Sequence, residues 1–463
     1  MSLFERLQLP LNKNVSNFLF FILSILIVSS VWLKGNSHTL PVIAGCFILV
    51  SSCYLVLYFF LSHFRPEVLK VSRKIFFIII TILSFILLTV FVQALPDDHL
   101  LFLIPFAIVP VVIRTFYDAR LAVFTMLTTL ILSGFLVPEP FEFVFLNFIT
   151  GMVAIFSLTN MYHRSRLFIT SLLVFVSYSV IYTGLNLVHY GNLSNVTWIS
   201  FVIFAVNGLL VLSSYPLIFI FETRFYFLSD ATLLELADTN QPLLRKLSEQ
   251  APGTFQHSLQ VAHLSEEAAR IIGANALMVR AGALYHDIGK IAGPSYFVEN
   301  KSDNKNPHDH LEPEESAKLI INHVSSGVIL AKNYKLPVQI IDFIRTHQGT
   351  AVAYYFYKKY TDLHPWDTSR ENEFTYPGPK PFSKETAIVM MADSVEAASR
   401  SLETYSEYNI SDLVDRIISV QEHDGQLSES PLTFKEISAI KEIFKKRLQS
   451  IYHARIVYPE RKS

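Results

Sequence analysis

Eight apolar runs crowd the first half of the chain, near residues 17–34, 40–62, 74–95, 100–116, 119–137, 140–161, 167–189 and 197–221. A run of about 20 apolar residues, coiled as an α-helix, matches the ~30 Å hydrocarbon core of a bilayer. Within lipid each backbone N–H and C=O must be paired inside the structure, and a helix does this by itself. The runs therefore read as a polytopic helical bundle. The fourth, interrupted by Pro105 and Pro110, and the fifth are the weakest of the eight. A sixteen-residue polar-mixed leader precedes the first run and no clear small-residue cleavage site follows that run before the next, so a membrane span is expected there rather than a cleaved signal peptide.

Of the 463 residues 51% are hydrophobic and 17% charged, a greasier balance than a soluble enzyme of this charge content carries. The charges gather after residue 222. Three parts follow: a transmembrane region over 1–222, a helical linker over 223–250, and a soluble domain over 251–463 large enough to bury its own core. A net charge of −1 gives no reason to expect a nucleic-acid polymer as partner. Cys46 and Cys53 lie seven apart in one apolar run. On a helix that separates them by roughly 10 Å along the axis, too far for a disulfide.

Loops with Arg65, Lys70, Arg73 and Lys74, with Arg114 and Arg120, and with Arg164 and Arg166 alternate with loops carrying Asp97, Asp98, Glu139 and Glu142. The positive-inside rule makes the first set cytoplasmic. Eight spans return the chain to that side, so a multi-pass protein of the inner (plasma) membrane with a cytoplasmic soluble domain is expected. Asn147, Thr150, Asn186 and Asn207 stand out within the spans and read as helix-packing hydrogen bonds. A transporter would show intramembrane charges, which these spans lack.

After the last span, Leu233, Leu234 and Leu236 mark a short amphipathic helix, and Asp238 and Asn240 before Pro242 mark a stop and a fresh start. Helices are expected near 254–271, 274–286, 313–331, 337–347, 384–403, 411–423 and 433–453. The last opens on the capping-box pair Thr433 and Glu436 and aligns Ile437, Ile440, Phe444 and Leu448 on one face. No useful strand pattern appears, so the soluble half is all-α. Polar loops over 293–312 and 360–383 interrupt it, and long loops of this kind usually bind substrate or act as lids.

The chemistry concentrates around Tyr285-His286-Asp287-Ile288-Gly289-Lys290. His257 upstream and His323, His347 and Asp393 downstream each lie in or beside an apolar helical pattern. A lone buried histidine is usually a satisfied core residue; this grouping instead reads as a metal site. Four imidazoles and two carboxylates exceed what one catalytic ion takes. They suit two divalent ions sharing Asp287, a pair that activates a water-derived nucleophile and clamps a phosphate. Mixed nitrogen and oxygen donors favour iron, manganese or cobalt over magnesium, with iron or manganese expected. Lys290 (also in a catalytic role), Arg400 and Tyr296 are candidates for substrate contact. His263, His364, His423 and His453 read as ordinary residues, with His308 and His310 the first exceptions to consider.

These motifs, with Gly253-Thr254-Phe255-Gln256-His257, Tyr296-Phe297-Val298-Glu299-Asn300, Ile344-Arg345-Thr346-His347 and Ala392-Asp393-Ser394-Val395-Glu396, resemble the HD-domain phosphohydrolases. More narrowly the chain resembles their seven-transmembrane branch, the PgpH-type cyclic di-AMP phosphodiesterases, from about residue 40 onward. The resemblance implies that His257, His286, Asp287 and Asp393 hold one metal, that Asp287, His323 and His347 hold the other, and that cyclic di-AMP is hydrolysed to 5′-pApA. It departs from the family in two places. Gln348 stands where members often carry a second histidine, which is expected to weaken the second metal group. Only about five residues, Gly35 to Thr39, separate the first two runs, where members usually carry a large extracytoplasmic domain. Two other readings stay open at this stage: an HD hydrolase of another nucleotide, and a nucleotide-sensing membrane receptor without turnover. Expected partners are a cyclic dinucleotide, the bilayer and a second copy of the chain.

Overall fold

The computed structural model describes residues 13–34, 39–158, 165–194, 196–301, 306–367 and 369–452; Arg164 and His453 fall outside them, as do 302–305 of the first polar loop. It forms two compact units, Met1–Ala231 and Thr232–Ser463.

In the first unit the helices are α1 (Lys13–Leu33), α2 (Leu40–Phe64), α3 (Ser72–Gln93), α4 (Ile108–Phe116) and α5 (Ala119–Gly134). They are followed by α6 (Pro140–Ser157), α7 (Ser165–Tyr190), α8 (Trp198–Val211) and α9 (Ser214–Phe225). Each of the eight apolar runs carries helix among the described residues. Among the described residues seven segments are long and apolar enough to cross a membrane; α5, with 16 residues, is shorter. At 1.5 Å per residue it reaches about 24 Å. Large side chains such as Leu55, Phe91, Phe168, Leu172 and Leu209 point outward, as lipid-facing residues do.

The fourth run is a broken helix, a 3₁₀ turn over Asp98–Leu103 followed by α4, with Pro105 between them. The break leaves carbonyls without helical partners, and Asn207 supplies them: its Nδ2 donates to Phe102 O (2.7 Å) and Ile104 O (3.0 Å). Asn147 donates to Phe143 O at 2.8 Å and accepts from Tyr178 Oη at 2.5 Å. Asn147 and Asn207 thus mend backbone and tie helices together, whereas among the described residues Asn186 bonds only to Tyr182 O of its own helix and the buried Thr150 hydroxyl has no partner.

Asp230–Leu236 is helical, and an Asx turn from Asn240 N to Asp238 Oδ1 (2.9 Å) leads into the next helix at Pro242. The second unit then runs α10 (Pro242–Gln250), α11 (Pro252–Ile272), α12 (Ala276–Tyr285), α13 (Pro313–Asn333) and α14 (Val338–Thr346). It continues with α15 (Tyr354–Leu363), α16 (Lys384–Ser399), α17 (Glu407–His423) and α18 (Phe434–Tyr452). α11 lies at the centre, packed by α10, α12, α16 and α18. Ile437, Ile440, Phe444 and Leu448 are buried, and Thr433 and Glu436 bond reciprocally as a capping box.

Two local features differ from the sequence reading. α15 forms where no helix is expected, because its buried face is only Phe356 and Tyr360, which pack with Ala317 and Phe374. The polar loops are also more ordered than their composition suggests. Three 3₁₀ turns punctuate 293–312, and an isolated bridge between Val352 and Thr375, reinforced by Tyr376 N to Ala351 O (2.9 Å), ties the second loop down.

Candidate metal centre

α12 ends at Tyr285, and the chain tightens into a 3₁₀ turn over Ile288–Ala292, so His286 and Asp287 sit where one helix geometry gives way to another. The turn presses on α13. A Cβ at Gly289 would lie 1.8 Å from His323 O and 2.6 Å from Gly327 N. Only glycine permits that approach, and it brings His323 beside Asp287.

His257, His286, Asp287 and Asp393 form one buried group able to hold an ion; Asp287, His323 and His347 form another. Asp287 belongs to both, one oxygen to each. Its Oδ1 lies 3.3 Å from His323 Nε2 and 3.4 Å from His347 Nε2. Its Oδ2 lies 3.3 Å from His286 Nε2 and 3.8 Å from His257 Nε2. Asp393 Oδ1 completes the first group, 2.8 Å from His257 Nε2 and 3.5 Å from His286 Nε2.

The outer nitrogens fix the rings. His286 Nδ1 donates to Ala283 O (2.6 Å), His323 Nδ1 to Ile320 O (2.5 Å) and His347 Nδ1 to Ile344 O (2.9 Å). His257 Nδ1 donates to Glu396 Oε2. A proton held on Nδ1 leaves the Nε2 lone pair directed at the centre, the arrangement of metal-bound histidines. Fit to a cation follows from two orphaned atoms: His286 Nε2 and Asp287 Oδ1 are buried with no hydrogen-bond partner among the described residues. His323 Nε2 and His347 Nε2 face each other at 3.0 Å, and only a proton or a cation reconciles two such lone pairs.

The electrostatics agree. Burial disfavours a charged His286, yet Asp287 and Asp393 outweigh it and push the imidazole up to about 10. Burial likewise opposes ionisation of Asp287, but the Lys290 ammonium and His286 hold it well below its usual range. Asp393 is lowered against its burial by His257 and His286. Burial pushes His347 down. A divalent cation replaces protons in such a site.

All six expected ligands converge. Lys290 is engaged by protein, with Nζ 2.7 Å from Asp287 Oδ2 and 2.8 Å from Glu299 Oε1, and it lies over the Phe297 ring. Arg400 is placed behind His257, where its Nε and Nη2 donate to Glu396 Oε1 at 2.9 and 2.6 Å. Tyr296 is half-buried and packs on His308, whose Nε2 lies 2.9 Å from Tyr296 O. His263, His310, His364 and His423 are exposed.

Gln348 requires a correction. Its Nε2 donates to Asp393 Oδ2 at 3.1 Å, so it supports the first group and is not directed at the second. Sequence reasoning gave Glu396 no role, although its spacing from Asp393, three residues along a helix, puts both on one face. Glu299, which links Lys290 to Thr254 Oγ1 (3.0 Å), and Tyr376, whose ring is 6.0 Å from that of His323, left no such signal.

Residues 40–229 match the family described as 7TM receptor with intracellular HD hydrolase, and residues 254–398 match the HD domain. The chain belongs to this family. It is 36% identical over 442 residues to the cyclic-di-AMP phosphodiesterase PgpH of Bacillus subtilis, covering 92% of this chain and 62% of the relative. Against PgpH of Listeria monocytogenes it is 34% identical over 415 residues, covering 86% of this chain and 56% of the relative. The chain therefore spans about three-fifths of the length of these curated relatives. The crystal structure of the L. monocytogenes PgpH HD domain in complex with cyclic-di-AMP matches at 43% identity and a TM-score of 0.45, covering 46% of this chain and 100% of that one.

Proposed function

We propose that the protein is a membrane-anchored, metal-dependent phosphodiesterase that opens cyclic di-AMP to 5′-pApA. The observation that carries this reading is the division of Asp287, one oxygen toward each group of imidazoles. The names of the two PgpH relatives support the substrate.

His257, His286, Asp287 and Asp393 would hold one ion, and Asp287, His323 and His347 the other. Two divalent ions supply a water-derived nucleophile at neutral pH and charge neutralisation on the phosphoryl oxygens. The protein's part is positioning. The Nδ1 donors lock the four rings, Glu396 and Arg400 buttress His257, and Gln348 turns Asp393 so that Oδ1 faces inward. Lys290 pins Asp287 Oδ2 and is itself held by Glu299, which makes it a positioning residue for the shared carboxylate. Tyr296 remains a candidate for contact with the substrate. Hydrolysis adds water across one P–O bond; the ribose 3′-oxygen leaves and the phosphate stays on the 5′-oxygen.

The mixed imidazole and carboxylate donors favour iron or manganese. The basic loops carrying Arg65, Lys70 and Arg73, and Arg114 with Arg120, support a plasma-membrane chain of about eight helices with its HD domain in the cytoplasm.

Product analysis tests the reading. The full chain in nanodiscs is incubated anaerobically with Mn²⁺ or Fe²⁺ and either cyclic di-AMP or cyclic di-GMP, beside Asp287→Ala. The expected result is 5′-pApA from the unsubstituted protein alone. Absence of turnover with metal bound would overturn the assignment.

A further inference from the structure

A cavity of about 270 Å³ opens at one end of the membrane-spanning unit, between the 3₁₀ turn of the fourth run, the start of α6 and the end of α7. It is at the far end of α6 from Arg114, which donates to Ile155 O near the close of that helix. Nothing in the phosphodiesterase reading uses it.

Its walls are aromatic, with Phe102, Phe143, Tyr182 and Tyr190 among them, and no lysine or arginine lines it. The acceptors are the carboxylates of Glu139 and Glu142 and the amide oxygen of Asn186, while the imidazoles of His99 and His189 also line the cavity. Glu142 gives one oxygen to His189, with Oε1 2.7 Å from Nδ1, which leaves Oε2 to face another donor. Glu139 stands at the mouth, its carboxylate without a protein partner among the described residues. Deeper in, Asn186 is 8% exposed. Its Nδ2 is committed to Tyr182 O at 2.9 Å, while Oδ1 accepts from no protein group among the described residues.

Two carboxylates with no lysine or arginine beside them favour a ligand that brings donors and positive charge. An alkylammonium has three N–H donors and no acceptor, and aromatic faces attract it. Leu101 and Val137 offer apolar contact to its carbon skeleton. The volume is below the range of drug-sized pockets, so the body must be small. We propose that this cavity binds a small organic ammonium ion, with Glu142 and Asn186 receiving its N–H groups. The same chemistry is offered by a free amine and by the headgroup of phosphatidylethanolamine.

Calorimetry on the full chain in phosphatidylglycerol nanodiscs tests this. Ethanolamine and phenethylamine are titrated against their neutral counterparts, ethylene glycol and 2-phenylethanol. At least one amine is expected to bind saturably and its alcohol not to bind. Glu142→Gln, which keeps the shape and removes the charge, is expected to weaken binding by about tenfold or more, the usual scale of a lost charged hydrogen bond. Asn186→Leu serves as the second variant should Glu142→Gln melt abnormally. Repeating the titration with phosphatidylethanolamine in the nanodiscs separates the sources. Weaker apparent affinity for the free amine marks the headgroup as occupant, and unchanged affinity marks the soluble amine. No saturable amine binding, equal binding of the alcohols, or undiminished affinity in natively melting Glu142→Gln and Asn186→Leu would overturn the proposal.

Discussion

Gln348 Nε2 donates to Asp393 Oδ2 at 3.1 Å, which leaves Asp393 Oδ1 facing His257 and His286. An amide here turns the carboxylate without contributing a charge. Gln348→Ala is expected to lower metal affinity at the first group about tenfold, at the low end of what lost support to a ligand costs. The second group, reached through Asp287, His323 and His347, is expected to change less. Competition titration with a metal chelator checks this; selective loss at the second group would contradict it.

Glu396 joins His257 to Arg400, accepting from the His257 Nδ1 through one oxygen and from the guanidinium through the other. Glu396→Ala removes the acceptor and leaves a guanidinium without its partner. A loss of 10- to 100-fold in metal affinity or activity is expected, roughly the range for such supporting carboxylates. Arg400→Ala is expected to act through Glu396 and lower kcat with little change in KM. A large rise in KM with unchanged kcat would instead place Arg400 on the substrate.

Metal binding should release protons. The folded pKa of His286 is raised to about 10 from an ordinary 6.5. The stability this contributes to the metal-free protein is fully present below the ordinary value and is lost as pH rises through the folded one. A metal at Nε2 needs the neutral ring, so at pH below about 10 it must displace that proton, and metal affinity rises with pH across this window. Calorimetry at pH 7 in two buffers of different ionisation enthalpy is expected to show net proton release. Buffer-independent heats would contradict the assignment.

Gly289 is the contact on which the second group depends. A methyl there meets the His323 carbonyl, which belongs to a helix backbone and cannot swing aside. Gly289→Ala is expected to cost about 1–3 kcal/mol of stability, the usual scale for overpacking, and to weaken metal holding by His323 and His347. Thermal melts with and without metal report both effects. An unchanged melting profile would show that the turn accommodates a side chain.

Much of this protein is legible from residue order because lipid and metal impose local rules. Spans announce themselves by apolar length, and each of α1 to α9 overlaps one of the eight runs. The six residues that converge were legible because imidazoles and carboxylates rarely punctuate apolar helices without a partner. Roles set by tertiary direction were not. Lys290 and Arg400 are cations that composition offers to a phosphate, yet each is turned onto a carboxylate of its own unit, Asp287 with Glu299 in one case and Glu396 in the other. Gln348 could be assigned only once α14 and α16 were seen together. α15 escaped notice because two buried aromatics make too narrow a stripe to show a helical period.

The two-group centre is tested most directly by counting metal. The full chain is purified anaerobically, loaded with Mn²⁺, desalted and assayed by mass spectrometry beside Asp393→Asn, His347→Ala and Asp287→Asn. Two equivalents are expected in the unsubstituted protein, about one in Asp393→Asn and in His347→Ala, and close to none in Asp287→Asn, because that carboxylate serves both groups. Asp287→Asn retaining both equivalents would contradict a shared ligand and with it the centre described here.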